Sequence, residues 1–182
     1  MIVLVVNCGS SSFKYQLLDM RGAGRLLCSG LVERIGEGKS PLAHKKYLPG
    51  GEARSVKKEE SYADHREAFQ AVLAMLTHPE HGAVARVEDI QVVGHRVVQG
   101  GEAMRKACVV GEAEKATIRR LADMAPLHNP ANLQGIEVAQ TFCPHAPSVA
   151  VFDTEFHASM PPKAFRYAIP EKFYTEQGIR RY

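Results

Sequence analysis

No stretch of this 182-residue sequence is long and apolar enough to cross a bilayer, which removes the helical membrane-spanning classes. Cysteine is sparse and dispersed: Cys8, Cys28, Cys108 and Cys143 form no C-x-x-C pair, so neither a zinc knuckle nor a disulfide framework is expected. The four read as small buried hydrophobes in a reduced compartment. Strong charge of one sign is missing too. The 23 Lys and Arg against 20 Asp and Glu leave a net +3, scattered rather than striped, so nucleic acid is not an expected partner. Lys57-Lys58 and Arg180-Arg181 read as solvated pairs. The apolar opening, Met1 to Val6, lacks a basic leader and a small-residue cleavage site, and a cytoplasmic location is expected.

What is present fits one soluble domain of ordinary size, because 45% hydrophobic and 24% charged residues are close to the average of such domains. Ile2 to Val6 reads as a buried strand. Phe13, Tyr15 and Leu17 then alternate with Lys14, Gln16 and Leu18, the period of a second strand, so the two make a hairpin. Leu26 to Leu31 is a third strand, and His44 to Lys58 around Pro49-Gly50-Gly51 is a polar hairpin or loop excursion. Ser61 with Asp64 offers an N-cap to a helix whose Phe69, Val72, Leu73 and Leu76 share one face. A strand at Ile90 to Val93 and a helix over Glu112 to Met124 follow. Pro130, after Asn129, opens a further helix through Leu133 and Ile136, and Ser148 to Phe152 is a strand ending at Asp153. Antiparallel strands followed by helical crossovers imply an α/β fold, a mixed sheet with helices on its faces that resembles a ribonuclease H-like half.

That topology bears on "NCGSSSFKYQLLD", residues 7 to 19. A Walker loop needs a second glycine and a following helix, and here the second glycine is absent and the continuation is a strand. Either a phosphate sits against a hairpin turn, held by backbone N–H groups, serine hydroxyls and a lysine, or the stretch is an ordinary Gly-Ser turn. Three further stretches carry chemistry. "GHRVVQGGE", residues 94 to 102, puts Arg96 at a strand's carboxyl end, where it can fork a carboxylate or phosphate or make a surface ion pair. "APLHNPANLQGI", residues 125 to 136, places His128 at the mouth of a helix, as a packing residue or beside an anion. "VAVFDTEFHASMP", residues 149 to 161, ends an apolar strand on Asp153, a common place for a metal-binding or orienting carboxylate.

Taken in order, these blocks and the closing "YAIPEKFYTEQGIRRY" closely resemble the amino-terminal half of acetate kinases over essentially the whole chain. The resemblance implies the fold shared by acetate and sugar kinases, heat-shock ATPases and actin, in which two ribonuclease H-like domains close over a nucleotide. Residues 1–182 would be the first of them, a fragment, because "GIRRY" runs in that family into a Gly-His-Gly-Thr block that is missing here. It also implies Mg²⁺ at Asn7, ATP phosphates at Ser10, Ser12 and Lys14, the acyl substrate on Arg96, and small acyl-pocket residues at Val98 and Leu127. Asp153 would be the catalytic carboxylate, and His128 would stand near the transferring phosphoryl group. The implied reaction is reversible phosphoryl transfer between ATP and acetate, giving acetyl phosphate and ADP, in an enzyme expected to be a homodimer at full length. Gln99 stands where the family usually has histidine and Glu155 where a small residue is common, which bears on acyl preference: propionate or butyrate is the near alternative. A nucleotide-dependent interaction module of the actin or chaperone type is the distant one, and it has no use for Arg96, Val98 and Leu127.

Overall fold

The computed structural model describes residues 1–182. Eight strands form one mixed sheet: β1 (Ile2–Cys8), β2 (Ser12–Asp19), β3 (Arg25–Glu33), β4 (Ser40–Tyr47), β5 (Ala53–Glu60), β6 (Val92–Val97), β7 (Cys108–Val109) and β8 (Ser148–Phe152). Their spatial order is β5-β4-β3-β2-β1-β6-β8-β7. The first five pair antiparallel, β1, β6 and β8 run parallel, and β7 returns antiparallel on the edge. Helices α1 (His65–Leu76), α2 (Glu112–Arg120) and α3 (Asn129–Phe142) precede two short ones, α4 (Pro162–Phe165) and α5 (Lys172–Thr175).

Period-two alternation sorts the central strands. Leu4, Val6 and Cys8 of β1 and Phe13, Tyr15 and Leu17 of β2 are buried on one face, where α1 and the far end of α3 cover them. Phe69 of α1 meets Phe13 edge-on at 5.3 Å and stacks on Phe142 of α3 at 6.0 Å, so one ring joins sheet and both helices. A second apolar cluster joins Val97, Ala150 and Phe152 of β6 and β8 to Ile118 of α2 and to Leu133 and Ile136 of α3. The opposite face has no helix. Val5 and Val151 are exposed there, and a groove of about 580 Å³ crosses β1 to β5. Tyr15 and His44 tie β2 and β4 to the loop after α1: the His81 carbonyl accepts from His44 Nε2 at 3.0 Å, which leaves Nδ1 to accept from the Tyr15 hydroxyl at 2.6 Å.

Several expectations shift. The first helix is capped by Asp64, not Ser61. The Asp64 carboxylate accepts from the Glu67 amide at 3.0 Å and Glu67 reaches back to the Ala63 amide at 2.7 Å, whereas Ser61 is only just leaving β5. The strand expected at Ile90–Val93 runs Val92–Val97. Ile90 closes a short 3₁₀ turn, and the strand continues through Gly94-His95-Arg96 because β1 and β8 pair with it on both sides. The helix expected to Met124 is α-helical to Arg120 and 3₁₀ from Leu121 to Met124, just ahead of Pro126. For the polar stretch around Pro49-Gly50-Gly51 the hairpin reading holds and the loop reading does not: β4 and β5 pair antiparallel and turn where Gly50 and Gly51 take φ of 100° and 92°, with β5 exposed almost throughout and without a burial period. The two-residue β7 went unforeseen. Arg180 is not solvated: its guanidinium is buried over the Phe165 ring and ion-paired with Glu102, which also accepts from the Tyr174 hydroxyl at 3.2 Å. Three of the four cysteines are buried as expected, and burial pushes the Cys8 thiol up to about 12.

His95 gives the fold a pH signature. It is 3% exposed on the helix-covered face with Nε2 3.3 Å from the Ser148 hydroxyl, and burial pushes its imidazole down to about 4. The unfolded chain, with histidine near ~6.5, binds that proton more readily. Stability is therefore complete above about pH 6.5 and declines as the pH falls toward 4, by up to about 3 kcal/mol. In urea unfolding between about pH 7 and pH 4.5, His95→Gln should lose about 2–3 kcal/mol less stability than the parent. Equal losses would remove His95 as the titrating group.

Candidate functional site

The Gly-Ser turn between β1 and β2 is held from within. The Gly9 N–H donates to the Ser12 carbonyl at 2.8 Å, the Gly9 carbonyl accepts from His65 Nε2 at 2.7 Å, and the Ser11 carbonyl accepts from the Ile35 N–H at 3.0 Å. The Gly9 amide is thus already engaged, and an anion at this turn would meet the Ser10 and Ser12 hydroxyls. Asn7 and Lys14 face each other across the β1–β2 ladder. Alternation sends both to the open face, where Lys14 is exposed.

On the other side of β1, the parallel ladder with β6 ends at Val6 and His95. The next residue of each strand, Asn7 and Arg96, emerges side by side on the open face. Asp153 follows from β8, two residues beyond the Val151 that pairs with Arg96. The carboxylate and guanidinium meet as a fork, Nε to Oδ1 at 2.9 Å and Nη2 to Oδ2 at 2.6 Å. Half the Arg96 side chain is exposed, 51%, so the pair contributes only about 0–1 kcal/mol of stability. Its effect is orientation: Asp153 takes one edge of the guanidinium, and the Nη1 edge is left for a ligand. The surface ion pair and the anion-binding arginine, two readings of Arg96, are therefore compatible.

The buried amide hydrogen bonds behind this face were not foreseen. Gln99 is buried in the Gly100-Gly101 loop, where its side-chain carbonyl accepts from the Gly101 N–H at 2.8 Å. Asn129 accepts from the Gln99 N–H at 3.0 Å and donates back to the Gln99 carbonyl at 2.9 Å. Asn132 accepts from the Val98 N–H at 3.0 Å and donates to the Cys8 carbonyl at 2.7 Å. One sequence signal could have revealed them: two asparagines three apart at a helix start, on the side facing apolar residues. His128 is the residue before α3 and is exposed, Leu127 beside it is 77% exposed, and Val98 is half-buried. The structure thus brings Asn7, Lys14, Arg96 and Asp153 onto one face and leaves Leu127 and His128 at the mouth of α3, apart from them. The groove beside the site is lined by Lys14, Lys45 and Lys57 and by no carboxylate, a field that favours anions.

A family model described as the acetokinase family matches residues 2–182. The chain belongs to the acetokinase family. Over all 182 residues it is 48% identical to an acetate kinase of Nitratidesulfovibrio vulgaris and covers 45% of that protein. To an acetate kinase of Symbiobacterium thermophilum it is 49% identical and covers 44%. The solved acetate kinase of Porphyromonas gingivalis superposes on the whole chain with a TM-score of 0.90 at 39% identity, over 44% of its own length. A propionate kinase from Francisella tularensis superposes with a TM-score of 0.88 at 33% identity, again over 44%. This acetokinase chain therefore spans less than half the length of the curated relatives it matches, and its fold is theirs, including the ribonuclease H-like mixed sheet.

Close packing behind the site makes a test. Gly135 of α3 lies against the end of β1, and a Cβ there would sit 2.6 Å from Cys8 Cβ and 3.1 Å from its Sγ. Glycine to alanine inside a helix ordinarily gains about 0.5–1 kcal/mol. Gly135→Ala should instead lose about 1–3 kcal/mol, read from the urea midpoint. A gain would mean that α3 does not press on β1 as described.

Proposed function

We propose that residues 1–182 are the amino-terminal ribonuclease H-like domain of a two-domain kinase that transfers a phosphoryl group reversibly between ATP and acetate, giving acetyl phosphate and ADP. The observation that carries this reading is the Arg96–Asp153 fork emerging beside Asn7 and Lys14 where β1, β6 and β8 end. Carboxyl ends of parallel strands are where open sheets bind ligands. The two reactants are both anions, so the site must neutralise charge and align a carboxylate oxygen with the γ-phosphorus. Lys14, with the Ser10 and Ser12 hydroxyls, holds phosphate oxygens. The free edge of Arg96 takes the acyl carboxylate, with Val98 and Leu127 against its methyl group and His128 near the phosphoryl group.

In the forward direction a carboxylate oxygen bonds to the γ-phosphorus as the bond to the ADP oxygen breaks. Acetate, with a pKa of roughly 4–5, is already ionised near neutrality, so no proton leaves it. Asp153 is accordingly an orienting group for Arg96 rather than a base.

Mg²⁺ suits the donors present. No group of three or more His, Cys, Asp or Glu could hold an ion alone, but magnesium bound with ATP keeps waters and phosphate oxygens and needs only one or two protein oxygens. Asn7, and Asp153 through water, would supply them, and the ion would contribute charge neutralisation on the phosphates. The parent protein is read as cytoplasmic and homodimeric, with neither nucleic acid nor membrane as a partner. Propionate is the second reading, favoured by the likeness to a propionate kinase. One methylene is worth only about 1–3 kcal/mol in a pocket. An actin-like or chaperone-like module is disfavoured because it has no use for the forked arginine.

The test is acetyl phosphate formation from ATP, magnesium and acetate by the full reading frame, with this chain alone assayed beside it and checked for folding by circular dichroism. Turnover is expected from the first and less than a tenth of it from the second, which lacks the other wall of the cleft. In the full-length enzyme Arg96→Ala should lower kcat/KM for acetate by about 3 kcal/mol, over a hundredfold, for two lost charged hydrogen bonds. Near-normal kinetics would remove Arg96 from the acyl site.

A further inference from the structure

We infer that Asn132 is the positioning residue that fixes the phosphate turn against the acyl arginine, an inference that rests on the phosphotransfer reading above. β1 and β6 stop pairing after Val6 and His95. The two strands then part, and each carries half of the site: Asn7 leads into the Gly9–Ser12 turn, and Arg96 leads into Val98 and the double glycine. Parting leaves backbone groups without ladder partners in a buried place, which must be matched or paid for in stability. Asn132, 4% exposed, reaches into that gap from the first turn of α3. Its Oδ1 accepts from the Val98 N–H at 3.0 Å and its Nδ2 donates to the Cys8 carbonyl at 2.7 Å. One rigid amide thus sets the separation of the two strand ends at one residue from Asn7 and two from Arg96.

Both ends of this buried side chain are taken up by backbone groups, so it acts through the residues it holds. The bonds also specify its chemistry: one end must accept and the other must donate. Aspartate offers two acceptors when ionised and sets a carboxylate oxygen against the Cys8 carbonyl. When protonated it regains a donor and reproduces both bonds. Burial raises the pKa of such a carboxyl, which moves its titration toward neutrality. Acidification should therefore restore what Asn132→Asp takes away. A merely structural contact has no reason to show that pattern in turnover per folded molecule.

The experiment uses the full-length enzyme, wild type, Asn132→Asp and Asn132→Leu, with folded fraction from circular dichroism and urea unfolding, and with kcat and both KM values from about pH 8 to pH 5.5. Expected is a kcat per folded molecule about a hundredfold lower in Asn132→Leu at every pH, as misaligned reactants would give. The KM for ATP and the KM for acetate should each change far less. The ratio of Asn132→Asp to wild-type kcat should climb several-fold as the pH falls. A flat ratio, unchanged kcat in folded variants, or an Asn132→Asp protein unfolded at every pH would overturn the inference while leaving the phosphotransfer reading intact. A folded wild type that makes no acetyl phosphate would overturn that reading, and this inference with it.

Discussion

The site depends on where two parallel strands stop pairing. β1 and β6 are bonded up to Val6 and His95, and the residue after each, Asn7 and Arg96, is thrown by alternation to the face that no helix covers. Everything polar at the site inherits its position from that event. Lys14 is across the ladder from Asn7, Asp153 is delivered by β8 in register with β6, and α3 fills the gap behind with asparagine side chains instead of apolar ones. Shifting β6 by one residue would turn Arg96 into the core and His95 out of it. The depth at which His95 is buried is thus part of what aims Arg96.

Charge explains why the arrangement suits two anions. Arginine and lysine stand on a face whose groove carries no acid, and Asp153 is engaged in orienting the arginine. A field of one sign raises the local concentration of anionic reactants, but bringing two of them together demands fixed geometry as well. The buried ties supply that rigidity: His65 on the Gly9 carbonyl, Gln99 on Gly101, and the asparagine pair on the strand ends. Glu102 does the same further out, where it anchors the closing segment through Arg180 and Tyr174.

Much of this was legible in the residues, for physical reasons that also mark where reading fails. The hairpin of β1 and β2 and the helix under Phe69 follow from periods that burial imposes, and the structure has both. β5 was legible only as one arm of a hairpin or as a loop, because nothing covers it and its residues answer to backbone pairing alone. Likewise β6 was placed two residues early and cut short, since Gly94, His95 and Arg96 break the apolar run and only their neighbours on both sides make them a strand. Arg180 looked solvated because its partner lies far along the chain, in the double-glycine loop. The positioning residues were the least visible. An asparagine that bridges two backbones resembles any other in sequence; Arg96, His128 and Asp153 stood out by their places at strand and helix ends, but their particular roles came only from the resemblance to acetate kinases.

The most direct test of whether the two halves of the reaction meet on the open face is a crystal structure of the full-length protein with ADP, magnesium and acetate. The acetate carboxylate is expected on the Nη1 edge of Arg96, with Asp153 still on the other edge and the nucleotide phosphates at Ser10, Ser12 and Lys14. Acetate bound away from Arg96, or phosphates bound away from the Gly9–Ser12 turn, would contradict it.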